Sequence, residues 1–285
     1  MGPEVGVRGR ELLRELTATL AAGGVPESRR EALRLWRELS GDPVAEALVR
    51  PDEPVGTELA AALREACARR AAGEPLAHVA GRAGFRRLTV RSDRRALIPR
   101  PETEGLVDLL LARVHGGAVL DIGTGTGAVA LALASEGTFT TVTATDLSAD
   151  ALALARQNVT EAGLSVDLVR SDLCAALRPG AFDALASNPP YLSGAEYAAL
   201  DPGVRDWEPE EALVGGLEGA ELTMRLLTEA REVLRPGGWL AVELDCTRAE
   251  ACARRASALG WDEVTVQADL FGRDRYLLAR RGVAT

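Results

Sequence analysis

Lysine is missing from this 285-residue chain: all 33 basic residues are arginine. Chemistry that rests on a lysine, such as a Schiff base or the phosphate-gripping lysine of a P-loop, is therefore excluded. Histidine is nearly as scarce, with only His78 and His115, and Cys67, Cys174, Cys246 and Cys252 form no Cys-x-x-Cys pair. No zinc site of usual spacing can be assembled from that set, and neither a structural disulfide nor a bound metal is expected. No stretch approaches the ~18 consecutive apolar residues of a membrane span, and Met1 to Leu16 offers no signal-peptide core. The reading is a cytoplasmic protein with reduced thiols and no membrane partner. Basic charge is also in short supply, 33 Arg against 42 Asp and Glu for a net charge of −9, which disfavours nucleic acid as a partner.

Apolar residues make up 47% of the chain, enough to build the core of one large domain or two smaller ones. From Glu11 to about Ala80 they recur at helical spacing, giving a small all-α domain over residues 1–83. Helices are expected over Glu11–Ala22, over Glu27–Leu39 with Ala32, Leu35, Trp36 and Leu39 on one face, and over Thr57–Ala72. Ser28 and Glu31 have the spacing of a capping box. Residues 84–100 read as a β-hairpin linker, with Phe85, Leu88 and Val90 on one side of a turn at Ser92-Asp93-Arg94 and Ala96, Leu97 and Ile98 on the other. A helix over Glu102–Val114 follows Pro99 and Pro101.

Over residues 101–285 strand and helix patterns alternate. Buried strands are expected at 118–121, 140–146, 166–172, 182–188 and 239–244, and a closing hairpin at 263–269 and 275–281. Ser148 is a fitting N-cap for the helix that follows it, and Arg235-Pro236-Gly237-Gly238 should separate a helix from the fifth strand. Such alternation predicts a doubly wound α/β sheet with ligands at the carboxyl ends of its strands.

Two motifs carry chemistry. The first strand runs through Asp121 and Ile122 into Gly123-Thr124-Gly125-Thr126-Gly127. Gly123, Gly125 and Gly127 let the backbone turn sharply and approach a ligand that a Cβ would push away. The spacing departs from the Gly-x-Gly-x-x-Gly of dinucleotide folds, and Asp121 puts a carboxylate where a pyrophosphate would want none. S-adenosylmethionine, with its positive ammonium and sulfonium, suits the loop better than NAD does. Asp146 closes the second strand, where it can accept from ribose hydroxyls, and Asp172 with Leu173 closes the third, where adenine could lie.

The second motif is Asn188-Pro189-Pro190-Tyr191 at the end of the fourth strand. The prolines stiffen the chain, so the Asn188 side chain and the Pro189 carbonyl can be presented as fixed acceptors, a matched grip for the two hydrogens of a planar NH2 group. Tyr191 could stack on that flat group.

With these residues the chain resembles the release-factor glutamine N5-methyltransferase family of the HemK type. Further supports are Gly73-Glu74-Pro75-Leu76, the run Leu97 to Glu104 (Leu-Ile-Pro-Arg-Pro-Glu-Thr-Glu) and the run Val204 to Leu213, all in the family's order. The resemblance implies a seven-stranded Rossmann-like methyltransferase domain. It also implies methyl transfer from S-adenosylmethionine to the glutamine amide nitrogen in the Gly-Gly-Gln loop of bacterial class I peptide-chain release factors. On that basis Asp121, Gly123, Thr124, Gly125, Thr126, Gly127, Asp146, Asp172, Leu173 and Asn188 would hold the cofactor. Asn188, Pro189 and Tyr191 would be catalytic, and Pro190 and Arg100 would join them at the substrate. The chain is expected to act as a monomer.

Two departures stand out: Glu243 is followed by Leu244-Asp245-Cys246 where relatives usually have a glycine, and Leu173 replaces an aromatic residue found in some of them. Other readings are an amino-methyltransferase acting on a nucleic-acid base, a non-catalytic adaptor, and a hydride-transferring dinucleotide enzyme. The first shares the planar NH2 target but meets the acidic charge balance, the second would show erosion of one of the two motifs, and the third meets the glycine spacing and Asp121.

Overall fold

The computed structural model describes residues 6–41, 48 and 50–283. The outermost ends of the expected domains, residues 1–5 and 284–285, lie outside the described residues. Two compact units are present: residues up to Arg82 with Pro202–Trp207, and Ala83–Asp201 with the residues from Glu208 onward.

The first unit is built from α1 (Gly9–Ala22), α2 (Ser28–Ser40), α3 (Thr57–Ala71) and the single turn α4 (Leu76–Ala80). Leu12, Leu16 and Leu20 recur every four residues along α1, with Leu13 beside them, and all four are at most 3% exposed. They meet Leu35 and Trp36 of α2 and Leu63 of α3 in one core. Burying such a side chain is worth ~1.5–3 kcal/mol, which is why this stripe folds as a packed helix.

On α2 the expected face holds for Ala32, Leu35 and Trp36, but Leu39 is 36% exposed. The expected capping box does not form. Ser28 is already helical and its hydroxyl donates to the Val25 carbonyl at 2.7 Å, while the Glu31 carboxylate accepts from Arg70 of α3 at 2.7 and 3.2 Å. A two-pronged bond to a guidinium on the neighbouring helix is stronger than a reach back to a single amide, so Glu31 goes to Arg70.

The second unit begins one residue into β1 (Arg82–Phe85), which pairs with β2 (Leu88–Arg91) in a two-stranded sheet. Its turn falls at Arg86-Arg87, not at Ser92-Asp93-Arg94, and Ala96 to Ile98 form no strand. Arg86 sits at φ +53°, a costly conformation for a side chain of its size. Contacts distant in sequence hold it there: its guanidinium makes two 2.8 Å bonds to Glu136, and its backbone N–H donates to Glu104 at 2.8 Å.

The main sheet has seven strands in the order β10-β11-β9-β6-β3-β4-β5. These are β3 (Ala118–Ile122), β4 (Thr141–Asp146), β5 (Asp167–Arg170), β6 (Phe182–Ser187), β9 (Leu234–Glu243), β10 (Trp261–Ala268) and β11 (Asp274–Arg281), while β7 (Leu192–Ser193) pairs separately with β8 (Val214–Gly216). Five strands run parallel and β11 is antiparallel to both of its neighbours. Between the strands lie α5 (Glu104–Leu111), α6 (Ala128–Glu136), α7 (Ala149–Ala162), α8 (Glu221–Val233) and α9 (Ala249–Ala258).

Ser148 caps α7 as expected, its hydroxyl accepting from the Ala151 N–H at 3.3 Å. Arg235-Pro236-Gly237-Gly238 does not separate α8 from the strand. Leu234, fully buried, already pairs with Phe182, so the Pro-Gly-Gly segment is an irregularity inside β9 with Gly237 at φ +83°. No described helix is long and apolar enough to cross a membrane.

Candidate active site

Strand register gathers the functional residues at one edge of the sheet. Ile122 lies opposite Thr145 on one side and Ser187 on the other, Asp146 lies opposite Arg170, and Ser187 lies opposite Val242. The chain leaves β3 toward β4 and β5, then returns to place β6 against the other side of β3. The glycine loop and the Asn188 segment therefore leave the sheet side by side at the point where the strand order reverses, where α/β sheets bind ligands. The Ser187 hydroxyl fastens the two strand ends together by donating to the Ile122 carbonyl at 2.8 Å.

A cavity of about 560 Å³ opens there. Asp121, Gly123, Thr124, Gly125, Thr126, Asp146, Asp172, Leu173, Asn188, Pro189, Pro190 and Arg100 all line it. Gly127 and Tyr191 do not. Gly127 is the N-cap of α6 at φ +84°, and a Cβ there would press on Ala155 at 3.3 Å, so its smallness serves helix packing. Tyr191 stands behind the wall beside Glu243, and burial pushes its hydroxyl up to about 12.

The glycine loop is held from both ends. The N–H groups of Gly123 and Thr124 donate to the Thr145 carbonyl at 2.8 and 2.9 Å, and the Gly125 N–H donates to Asp146 Oδ2 at 2.9 Å. The other oxygen of Asp146 accepts from the Ser148 N–H at 2.9 Å. Each carboxylate oxygen has a second lone pair, so Asp146 keeps capacity for two more donors. Asp121 is fully enclosed, with Oδ2 accepting from the Thr124 hydroxyl at 2.6 Å and the Ala130 N–H at 3.2 Å; burial pushes its pKa up to about 7. Asp172 is steadied by Arg225 at 2.7 Å, and Leu173 beside it is buried at φ +44°. Leu147, 62% exposed, is another apolar residue on the cavity wall.

Next to the glycine loop Asn188 donates its Nδ2 to the Thr103 hydroxyl at 3.0 Å, and Pro189 is buried beside it. Arg100 is paired at 2.5 Å with Glu208, whose other oxygen accepts the Ile98 N–H at 3.0 Å. Glu208 thus ties the segment before α5 to the segment that carries Pro209 and Glu211 on the cavity wall.

Residues 101–201 match the methyltransferase small domain family, and residues 11–81 match the PrmC N-terminal domain family. A release factor glutamine methyltransferase of Deinococcus radiodurans is 42% identical over 275 residues, which cover 95% of this chain and 98% of that protein. One of Cereibacter sphaeroides is 40% identical over 96% of this chain and 99% of that protein. The chain belongs to the release factor glutamine methyltransferase family. A solved methyltransferase from Pyrococcus furiosus is similar in fold, with a TM-score of 0.53 and 25% identity over 68% of this chain and 89% of that one.

The methyl donor of this methyltransferase is S-adenosylmethionine, and the cavity suits it. Asp121 is a buried carboxylate with no cationic partner among its hydrogen bonds, held against its preference for solvent. A cationic ligand would compensate that charge, whereas a dinucleotide pyrophosphate would add to it. The sign of the pH dependence follows. Asp121 is charged above about pH 7 and neutral below, so cofactor affinity should fall as pH drops from 8 to 6. Calorimetric titration with S-adenosylmethionine across that range checks this, and Asp121→Asn should bind weakly with a flat profile.

Thr103 and Leu147 also line the cavity, and neither is singled out by the sequence reading. Thr103 does lie inside the conspicuous run from Leu97 to Glu104, which is the signal that could have found it.

Proposed function

We propose that this protein methylates the side-chain amide nitrogen of the glutamine in the Gly-Gly-Gln loop of bacterial class I release factors. The observation that carries the reading is the rigid Asn188-Pro189 pair on the wall of the same cavity that presents Asp121, Asp146 and the glycine loop. The relatives of Deinococcus radiodurans and Cereibacter sphaeroides are named release factor glutamine methyltransferases, which supports the reading.

An amide nitrogen is a poor nucleophile because its lone pair is shared with the carbonyl. Asn188 Oδ1 and the Pro189 carbonyl accept its two N–H bonds, which favours a pyramidal nitrogen and aims the lone pair toward the cofactor end of the cavity. When bound there, S-adenosylmethionine supplies an electrophilic methyl group on a sulfonium. As positive charge grows on the nitrogen, the two oxygens are already oriented toward it, an electrostatic effect worth most where water is excluded. The nitrogen becomes acidic only after attack, so one N–H proton leaves afterward and no strong base is required to start the reaction. Arg100, held by Glu208, would meet the protein substrate at the rim.

The enzyme acts as a monomer in the cytoplasm on this reading, and its acidic balance weighs against a nucleic-acid substrate. The test is mass spectrometry of an unmethylated release factor after incubation with the protein and S-adenosylmethionine. One added methyl, placed by fragmentation on the Gly-Gly-Gln glutamine, is the expected result. No methylation of the protein, with transfer to adenine or guanine amines in nucleic acid instead, would overturn it.

A further inference from the structure

We propose that Thr103, backed by the buried carboxyl of Glu243, is a positioning residue that fixes which end of the Asn188 amide faces the target nitrogen. The inference rests on the glutamine-amide reading above and deepens it.

An asparagine amide has nearly the same shape either way round, so its hydrogen-bond partners decide which end points where. Only one end suits the proposed reaction. The target NH2 brings two donors and needs acceptors, and a flipped Asn188 would set its own NH2 against it. In the structure Nδ2 is committed to the Thr103 hydroxyl at 3.0 Å. That leaves Oδ1 for the substrate.

A hydroxyl can accept or donate, so Thr103 alone would not enforce this choice. Behind it lies Glu243, only 1% exposed, whose Oε2 has no hydrogen-bond partner among the described residues. The groups that face this carboxyl are the hydroxyls of Thr103 and Tyr191, the Arg275 guanidinium and the Glu102 carboxylate, with the Tyr276 phenol also within its field. Arg275 does not supply a bond to it: its Nη1 donates to the Leu244 carbonyl at 3.2 Å and its Nε reaches Asp269 at 3.4 Å.

An ionised carboxylate is an acceptor only, and a buried one short of donors draws the Thr103 hydrogen toward itself. The Thr103 oxygen is then presented to Asn188 as an acceptor, and the polarity runs one way, from Asn188 through Thr103 to Glu243. Protonation of Glu243 would turn it into a donor and release the Thr103 hydrogen, removing the bias. Burial pushes the Glu243 carboxyl up to about 7, so that loss falls within reach of experiment.

The experiment is steady-state methylation of an unmethylated release factor at saturating S-adenosylmethionine, with cofactor affinity measured separately by calorimetry. Thr103→Val keeps the shape and removes the acceptor; kcat should fall about tenfold to hundredfold, the effect of one lost hydrogen bond, with cofactor affinity unchanged. Thr103→Ser should restore most of the rate, because it restores the hydroxyl. In the native enzyme kcat should fall on the acid side near pH 7, and Glu243→Gln should be slow with that limb gone. Equal rates for Thr103→Val and Thr103→Ser, whether both normal or both low, would overturn the proposal, as would an acid limb that survives in Glu243→Gln. Asn188→Ala in the same assay separates the two levels. If it turns over normally, the amide-gripping reading itself fails. If it is inactive while Thr103→Val is normal, only the role of Thr103 falls.

Discussion

Asn188→Ala should lower the rate of methyl transfer by about 10²- to 10³-fold, the usual cost of removing one preorganised group that meets charge developing in a transition state. The variant loses one of two acceptors for the glutamine N–H bonds, so the nitrogen keeps more of its amide resonance and is less well aimed. Cofactor affinity should change little, because the glycine loop is anchored by Thr145 and Asp146 and not by Asn188. The fold should also survive, since Asn188 is only partly buried and Ser187, its neighbour, carries the bond that joins β6 to β3. Single-turnover rates at saturating S-adenosylmethionine, with calorimetry alongside, check both halves. A rate within tenfold of the native enzyme would sink the amide-gripping mechanism. Asn188→Asp should not rescue it: the second carboxylate would stand one hydroxyl away from Glu243 and could donate nothing to Thr103.

The parts of this site that could be read in the sequence are those whose meaning is local. Val119, Leu120 and Leu185 sit in short apolar runs that only a doubly covered strand accommodates, and all three are fully buried. Glycines at positive φ are needed directly after β3 because the backbone reverses there, and Gly123 and Gly125 stand at φ +71° and +54°. Asp146 was legible because it ends a strand next to the glycine loop in the fold's order.

What could not be read depends on partners far apart in the chain. Asn188 and Thr103 are separated by 85 positions, and nothing near either residue indicates the other. The position of the hairpin turn is decided in the same way. Ser92-Asp93-Arg94 has the better local turn chemistry, but Arg86 is pinned by Glu136, fifty residues away. Glu31 in the helical unit repeats the pattern, leaving a local cap for Arg70, 39 positions on.

Asp146→Ala should weaken S-adenosylmethionine binding by at least about a hundredfold while leaving the protein folded, and the two effects separate for a physical reason. The carboxylate is partly stripped of water, and burial raises its pKa despite the N–H bonds from Gly125 and Ser148. Its removal relieves that desolvation and exposes two backbone donors that water can satisfy at the cavity edge. The net change in stability should therefore be about 1 kcal/mol or less, a shift of roughly 2–4 °C in Tm for a domain of this size. Binding gains no such compensation. The proposed ribose contacts would be bonds to a charged acceptor, each worth about 1.5–3 kcal/mol, and the freed glycine loop would also have to be ordered when the cofactor enters. Asp146→Asn should not restore affinity, because an amide can present only one oxygen and must turn its NH2 toward either the Gly125 or the Ser148 N–H. Calorimetry and thermal unfolding on the same samples test this. A collapse in Tm would make Asp146 a structural residue first, and native-like affinity in the alanine variant would remove it from the cofactor site.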